Sequence, residues 1–216
     1  MGSIDYTELY QLQDEILKII FAHEDMFYLT GGTCLGRFYH EKRYSDDLDF
    51  FADNEPRFNL AVKNIKLILQ KDYLIKTETD SKDFIRIKVE NLLQIDFVND
   101  RVFRFGELKF LEGGIILDNI ENILANKITA IISRDNPKDI FDVYLISKFY
   151  DLNFNDILKI SHKKTKFDDA DLIIRLKSFP VKLLEDINLI DENFLNNFEK
   201  EFPVIIEKII AGMSNG

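Results

Sequence analysis

The chain has 216 residues, 46% of them hydrophobic and 31% charged, which gives enough apolar material for one large core or two small ones and excludes a disordered chain. A net charge of -10 excludes a protein that coats itself with nucleic acid over its whole surface, because phosphate neutralisation needs clustered Lys and Arg. One cysteine, Cys34, cannot form an internal disulfide, and no Cys/His cluster has zinc-ligand spacing.

The chain does not open with a basic segment followed by an apolar run, and no apolar stretch has the length of a bilayer span. A cytoplasmic protein with no membrane partner is therefore expected. Lys159, Lys163, Lys164 and Lys166 form a basic stretch without an acid among them, to be read either as a local polyanion patch or as a solvated helix end.

Along the chain, Leu9, Leu12, Ile16, Ile19 and Ile20 recur at helical spacing and predict an amphipathic helix over 6–22. A short strand over 26–29 runs into Gly31-Gly32, a turn that glycine enters without strain, and a short helix follows over 33–39. Residues 46–51 read as a second strand. Pro56 precedes a helix over 57–70, and β-rich runs return at 73–79, 84–90 and 92–98, the last two spaced for a tight hairpin. After Gly113-Gly114 the pattern turns helical. Asp118 and Glu121 have capping-box spacing for a helix reaching Ser133, Asn136-Pro137 breaks it, a helix over 139–149 follows, and more lie between 155 and 210. The expected division is a mixed α+β domain over 1–115 and a helical domain over 116–216.

The chemistry concentrates in a few segments. In YSDDLDFF, Asp47 and Asp49 stand two apart on a strand, so both carboxylates leave the same face and can share a hard divalent cation. By itself the pair also fits two solvated side chains. Gly31-Gly32-Thr33, between a strand and a helix, can turn backbone N–H groups toward a phosphate, or can be an ordinary turn. Asp96 alternates with Leu93, Ile95 and Phe97, which puts it on the opposite face from those three, as a third metal ligand or as an edge-strand charge. In NKITAIISRDNPKDIFDVY, Asp139 and Asp142 share a helical face, with Lys127 and Arg134 just upstream. Those cations can neutralise a triphosphate, or Asp139 can be a helix N-terminal charge with Arg134 as its partner.

Taken in order, YLTGGTCLGRFYHEKRYSDDLDFF, the LLQIDF strand and KITAIISRDNPKDIFDVY resemble the AbiEii/AbiGii-type toxin branch of the polymerase β-like nucleotidyltransferases over roughly residues 26–150. The resemblance implies an α+β fold: a polymerase β-like palm, a mixed sheet flanked by helices, with a helical C-terminal portion. It implies transfer of a nucleoside monophosphate from an NTP to an acceptor hydroxyl, with RNA and the tRNA 3′ end as leading acceptor. A small antibiotic-type acceptor, or a catalytically silent nucleotide-binding module, stands as the alternative. Residue by residue, it assigns Gly31, Gly32, Thr33 and Ser45 to the triphosphate, and Asp47, Asp49 and Asp96 to two Mg²⁺ ions, replaceable by Mn²⁺. Lys127 and Arg134 are assigned to the nucleotide and Asp139 to support of the site. Where members usually carry Arg-Asp at the later acid, Lys138 precedes Asp139 here. A cognate antitoxin is the implied protein partner.

Overall fold

The computed structural model describes residues 4–213. They divide into two compact units: one takes the described residues up to Cys34, then Ser45–Arg101 and Glu107–Asp118; the other takes Leu35–Tyr44, Val102–Gly106 and the described residues from Asn119 onward.

The first unit is built on a seven-stranded mixed sheet of order β3-β4-β5-β2-β1-β7-β6. Its strands are β1 (Tyr28–Thr30), β2 (Asp47–Asp53), β3 (Ile75–Asp80), β4 (Phe84–Val89), β5 (Leu93–Asp100), β6 (Lys109–Phe110) and β7 (Ile116–Leu117). The predicted amphipathic helix is α1 (Tyr6–His23), capped by Asp5 and burying Leu9, Leu12, Ile16 and Ile20. After β1 comes α2 (Gly31–Phe38), and between β2 and β3 lies α3 (Phe58–Leu69), which buries Phe58, Val62 and Ile65.

Strand alternation decides which side of the sheet is core. Leu48, Phe50, Ile85, Ile87, Leu93, Ile95 and Phe97 are all buried. Phe27 meets Phe97 edge-on and Phe50 stacks on it, with ring centres 5.3 and 5.5 Å apart. The intervening residues, Asp47, Asp49, Arg86, Lys88, Gln94 and Asp96, therefore share the other face. β4 and β5 form the expected hairpin, with Glu90 and Asn91 at positive φ in its turn.

The second unit contains α4 (Ile120–Ser133), α5 (Pro137–Phe149), α6 (Phe154–Lys164), α7 (Asp169–Lys177), a short 3-10 segment (Val181–Asp186) and α8 (Phe198–Met213). The expected capping box at Asp118 is not formed: Asn119 caps α4 by accepting from the Asn122 N–H, while Asp118 accepts the Thr30 hydroxyl at 2.7 Å. Asn136 caps α5 just ahead of Pro137. At the end of α6, Lys164 donates to the Phe103 carbonyl and Lys163 lies over the Phe103 ring. Among the described residues, no helix is long and apolar enough to cross a membrane.

Candidate active site

In the sheet unit, the site starts where β1 ends. Gly31 has φ +72, and a side chain there would collide with the Asp49 carboxylate, so the glycine is what lets that carboxylate lie against the turn. Gly32 and Thr33 follow Gly31 in the first turn of α2, and the Thr33 hydroxyl donates to the Asp47 carbonyl, which pins the start of β2 against the helix. Its partner in this structure is thus backbone. β1 and β2 run antiparallel with Thr30 opposite Asp49.

Asp47 and Asp49 are half-buried on the open face of β2. β5 lies alongside in parallel, with Gln94 beside Asp47 and Asp96 beside Asp49. β5 is an interior strand, so Asp96 is not an edge charge. Both Asp96 oxygens accept from Arg86, at 2.7 Å from Nε and 2.6 Å from Nη2. Its hydrogen bond to Asp96 chiefly holds the Arg86 guanidinium above its ordinary pKa; burial opposes this, and the charges of Asp96, Glu78 and Asp47 add to it. Arg86, a residue the sequence reading passed over, therefore completes a row of Arg86, Asp96 and Asp49 across three strands.

The loop leading into β2 is gripped by α1. Tyr6 donates to Asp46 Oδ1 at 2.8 Å, the Ser45 N–H donates to the Tyr10 hydroxyl at 3.1 Å, and Gln13 donates to the Ser45 carbonyl at 3.1 Å. Positions 6, 10 and 13 fall on one helical face, so the spacing was visible in the sequence even though its target was not.

Among the described residues, no three His, Cys, Asp or Glu side chains are gathered so as to hold a metal ion by themselves. The donor set nevertheless fits Mg²⁺. That ion is ordinarily held by one or two carboxylates plus substrate phosphates, and Asp47 and Asp49 present two carboxylates on one open face beside a glycine turn.

In the helical unit, Lys127, Arg134, Asp139 and Asp142 come together with Arg43. Lys127 Nζ lies 3.1 Å from Asp139 and 2.7 Å from Asp142. Arg134 grips Asp139 through two nitrogens, at 2.7 and 2.9 Å, and Arg43 grips Asp142 through two, both at 2.8 Å. Burial works against the charge of Lys127, but Asp142 and Asp139 outweigh both it and the repulsion of Arg43, so the ammonium sits above its ordinary pKa. Burial likewise works against the Asp142 carboxylate, and Arg43 and Lys127 overcome it, holding that group below its ordinary pKa. The result is an alternating chain of five charges, three positive and two negative, with Arg134 at its exposed end. Asp139 lies in the first turn of α5, so the helix-terminal role open to it in the sequence is filled along with its ion pairs.

Residues 16–209 match the family model described as "Nucleotidyl transferase AbiEii toxin, Type IV TA system". An uncharacterised protein of Aquifex aeolicus is 27% identical over 160 residues, covering 69% of this chain and 71% of its own. The crystal structure of JHP933 from Helicobacter pylori superposes with a TM-score of 0.55 at 21% identity, over 99% of this chain and 92% of that one. The antibiotic-resistance factor ANT(2'')-Ia superposes with a TM-score of 0.51 at 15% identity, over 70% of this chain and 90% of that one. The mixed seven-stranded sheet with flanking helices is the polymerase β-like nucleotidyltransferase fold.

Proposed function

The chain belongs to the AbiEii nucleotidyl transferase toxin family of type IV toxin–antitoxin systems and is a nucleotidyltransferase, and from that premise we propose that it transfers a nucleoside monophosphate from an NTP to a hydroxyl of RNA, the tRNA 3′ end. The observation that carries the reading is the pair Asp47 and Asp49 on the open face of β2, with the Asp49 carboxylate fitted against the side-chain-free Gly31.

The residues divide the work. Gly31 and Gly32 leave room for the triphosphate at the start of α2, whose N-terminus favours negative charge. Thr33, Tyr10 and Gln13 fix the backbone on either side of Asp46, which holds the two metal-binding carboxylates in register. A divalent cation bound at Asp47 and Asp49 would supply charge neutralisation at the reacting phosphate and make the acceptor hydroxyl more acidic. The acceptor oxygen attacks the α-phosphorus, the bond to the β-phosphate oxygen breaks, and pyrophosphate leaves. Asp96, beside Asp49, receives the hydroxyl proton, one of its oxygens exchanging Arg86 for the acceptor. The family resemblance gives Lys127, held above its ordinary pKa by Asp142 and Asp139, the further role of a nucleotide contact. A cognate antitoxin restrains the activity in the cell.

The test is to incubate the purified protein with each labelled NTP, Mg²⁺ and total RNA and to follow the label. Label in the tRNA fraction, lost in Asp47→Asn, supports the reading. Label only in small molecules, or none with any of the four NTPs, overturns it.

A further inference from the structure

Four strands place Asp47, Gln94, Lys88 and Lys76 in one transverse row. Asp47 is paired with Gln94, Gln94 with Lys88, and Lys88 with Lys76. Directly opposed residues share a face, so both lysines lie on the side of the sheet that carries the carboxylate pair. At an interstrand spacing of about 4.8 Å, Lys88 is roughly 10 Å and Lys76 roughly 14 Å from Asp47 along the row.

Two features bear on these lysines. Like charges directly opposite each other on neighbouring strands destabilise a sheet. And neither ammonium has an ion-pair or hydrogen-bond partner among the described residues, in a chain where acids outnumber Lys and Arg by 38 to 28. The neighbouring row is arranged otherwise: Arg86 is held by Asp96 and feels Glu78. Lys88 is half-buried and Lys76 exposed, so both can reach a ligand lying on this face. An unneutralised cation pair continuing from the reaction centre fits a ligand that carries its negative charges in a line.

We propose that Lys88 and Lys76 form the acceptor track, binding successive phosphates of a single-stranded RNA whose terminal hydroxyl lies at Asp47 and Asp49. This rests on RNA being the acceptor. The track accounts for how a chain of net charge -10 takes a polyanion: the net charge repels RNA, and the lysine pair places local attraction on the face that carries the chemistry.

The test uses a fluorescent single-stranded RNA oligonucleotide blocked at its 3′ end, so that binding is read by anisotropy without transfer. Each phosphate neutralised contributes about 0.7 to the slope of log affinity against log salt. The double variant Lys76→Gln/Lys88→Gln should bind more weakly at low salt, with a slope smaller by about 1.4. Its KM for NTP should stay as in the wild type, and its melting temperature should hold or rise as the like-charge pair is relieved. An unchanged slope, or no oligonucleotide binding by the wild type at low salt, overturns the track. Failure of the RNA-acceptor reading shows separately, as absence of label transfer to unblocked RNA.

Discussion

Replacing Lys127 with Met tests the buried charge chain directly. Met keeps the length of the side chain and its apolar stem while removing the ammonium that sits between Asp139 and Asp142, both of which have side chains only 1% exposed. Breaking a buried ion pair ordinarily costs about 3–5 kcal/mol, because a charge is left without compensation. Here each carboxylate keeps a two-nitrogen grip from an arginine, so the lower end, about 3 kcal/mol, applies. For a chain of this size that corresponds to a fall in melting temperature of about 6–12 °C. Arg43→Met should cost more, about 5 kcal/mol, since it strips Asp142 of both guanidinium bonds. Calorimetric melts check both figures, and a Lys127→Met protein melting within 2 °C of wild type would refute the account. An NTP titration of the same variant, well below its melting temperature, addresses catalysis. A sharply raised KM is expected, partly restored in Lys127→Arg, and an unchanged KM would leave Lys127 only the task of holding α4 to α5.

Asp47→Asn should abolish label transfer while the melting temperature holds or rises slightly, because it removes one charge from a repulsive pair and creates no cavity; full activity with ordinary Mg²⁺ dependence would remove the central claim. Gly31→Ala should lower kcat/KM at least tenfold, whereas Gly113→Ala, at φ +83 with nothing within 4 Å of its new methyl, should keep activity at a similar backbone cost of about 1 kcal/mol; equal activity in the two variants would sink the argument about Asp49. The folded pKa of Asp142 lies below its unfolded value of about 3.9 and that of Lys127 above about 10.4, so the stabilisation by Asp142 is present above pH 4 and lost on acidification, and that by Lys127 is present below pH 10 and lost in alkali. The melting temperature should therefore be level between about pH 5 and 9 and fall below pH 4, and a level profile down to pH 2.5 would contradict the network. Mg²⁺ titrated by calorimetry should bind weakly to the protein alone and more tightly with a non-hydrolysable NTP, since phosphate oxygens add to the two carboxylates; tight binding without nucleotide would speak against this division of ligands.

How much of the fold could be read beforehand follows from the length of each element and the range of its contacts. α1 carries five apolar residues at helical spacing, and β4 and β5 alternate through six and eight residues, so local pattern alone places them. β6 and β7 have two residues each, too few for any alternation to register, and they exist because β7 pairs with β1, with Leu29 opposite Leu117. The cap of α4 turned on a choice between neighbours. Asp118 and Asn119 are both good capping residues, and the choice is made by Thr30, 88 residues away, whose buried hydroxyl takes the Asp118 carboxylate and leaves the cap to Asn119.

The same division holds in the site, where it carries a mechanistic point. That Asp47 and Asp49 share a face is a property of one strand and follows from alternation, but what each charge is paired with is a property of the sheet's register and the helical packing. Nothing in LLQIDF reveals that Arg86 will lie opposite Asp96, because the pairing depends on the hairpin turn being formed at Glu90 and Asn91. Nor does the run EKRYSDD announce that Arg43 will be buried against an acid 99 positions later. Only excess charge is visible in advance. The packed structure then sorts those charges into two kinds. Asp96, Asp139 and Asp142 are answered by Arg86, Arg134, Lys127 and Arg43, which makes rigid the elements that carry them. Asp47 stands on the open face of β2 at one end of the row that Lys88 and Lys76 close at the other, and a row of that kind costs stability as it stands. On the reading proposed above, the charge left on this face serves a ligand, and the carboxylate end and the lysine end select for opposite charges on it: a cation at one and phosphates at the other.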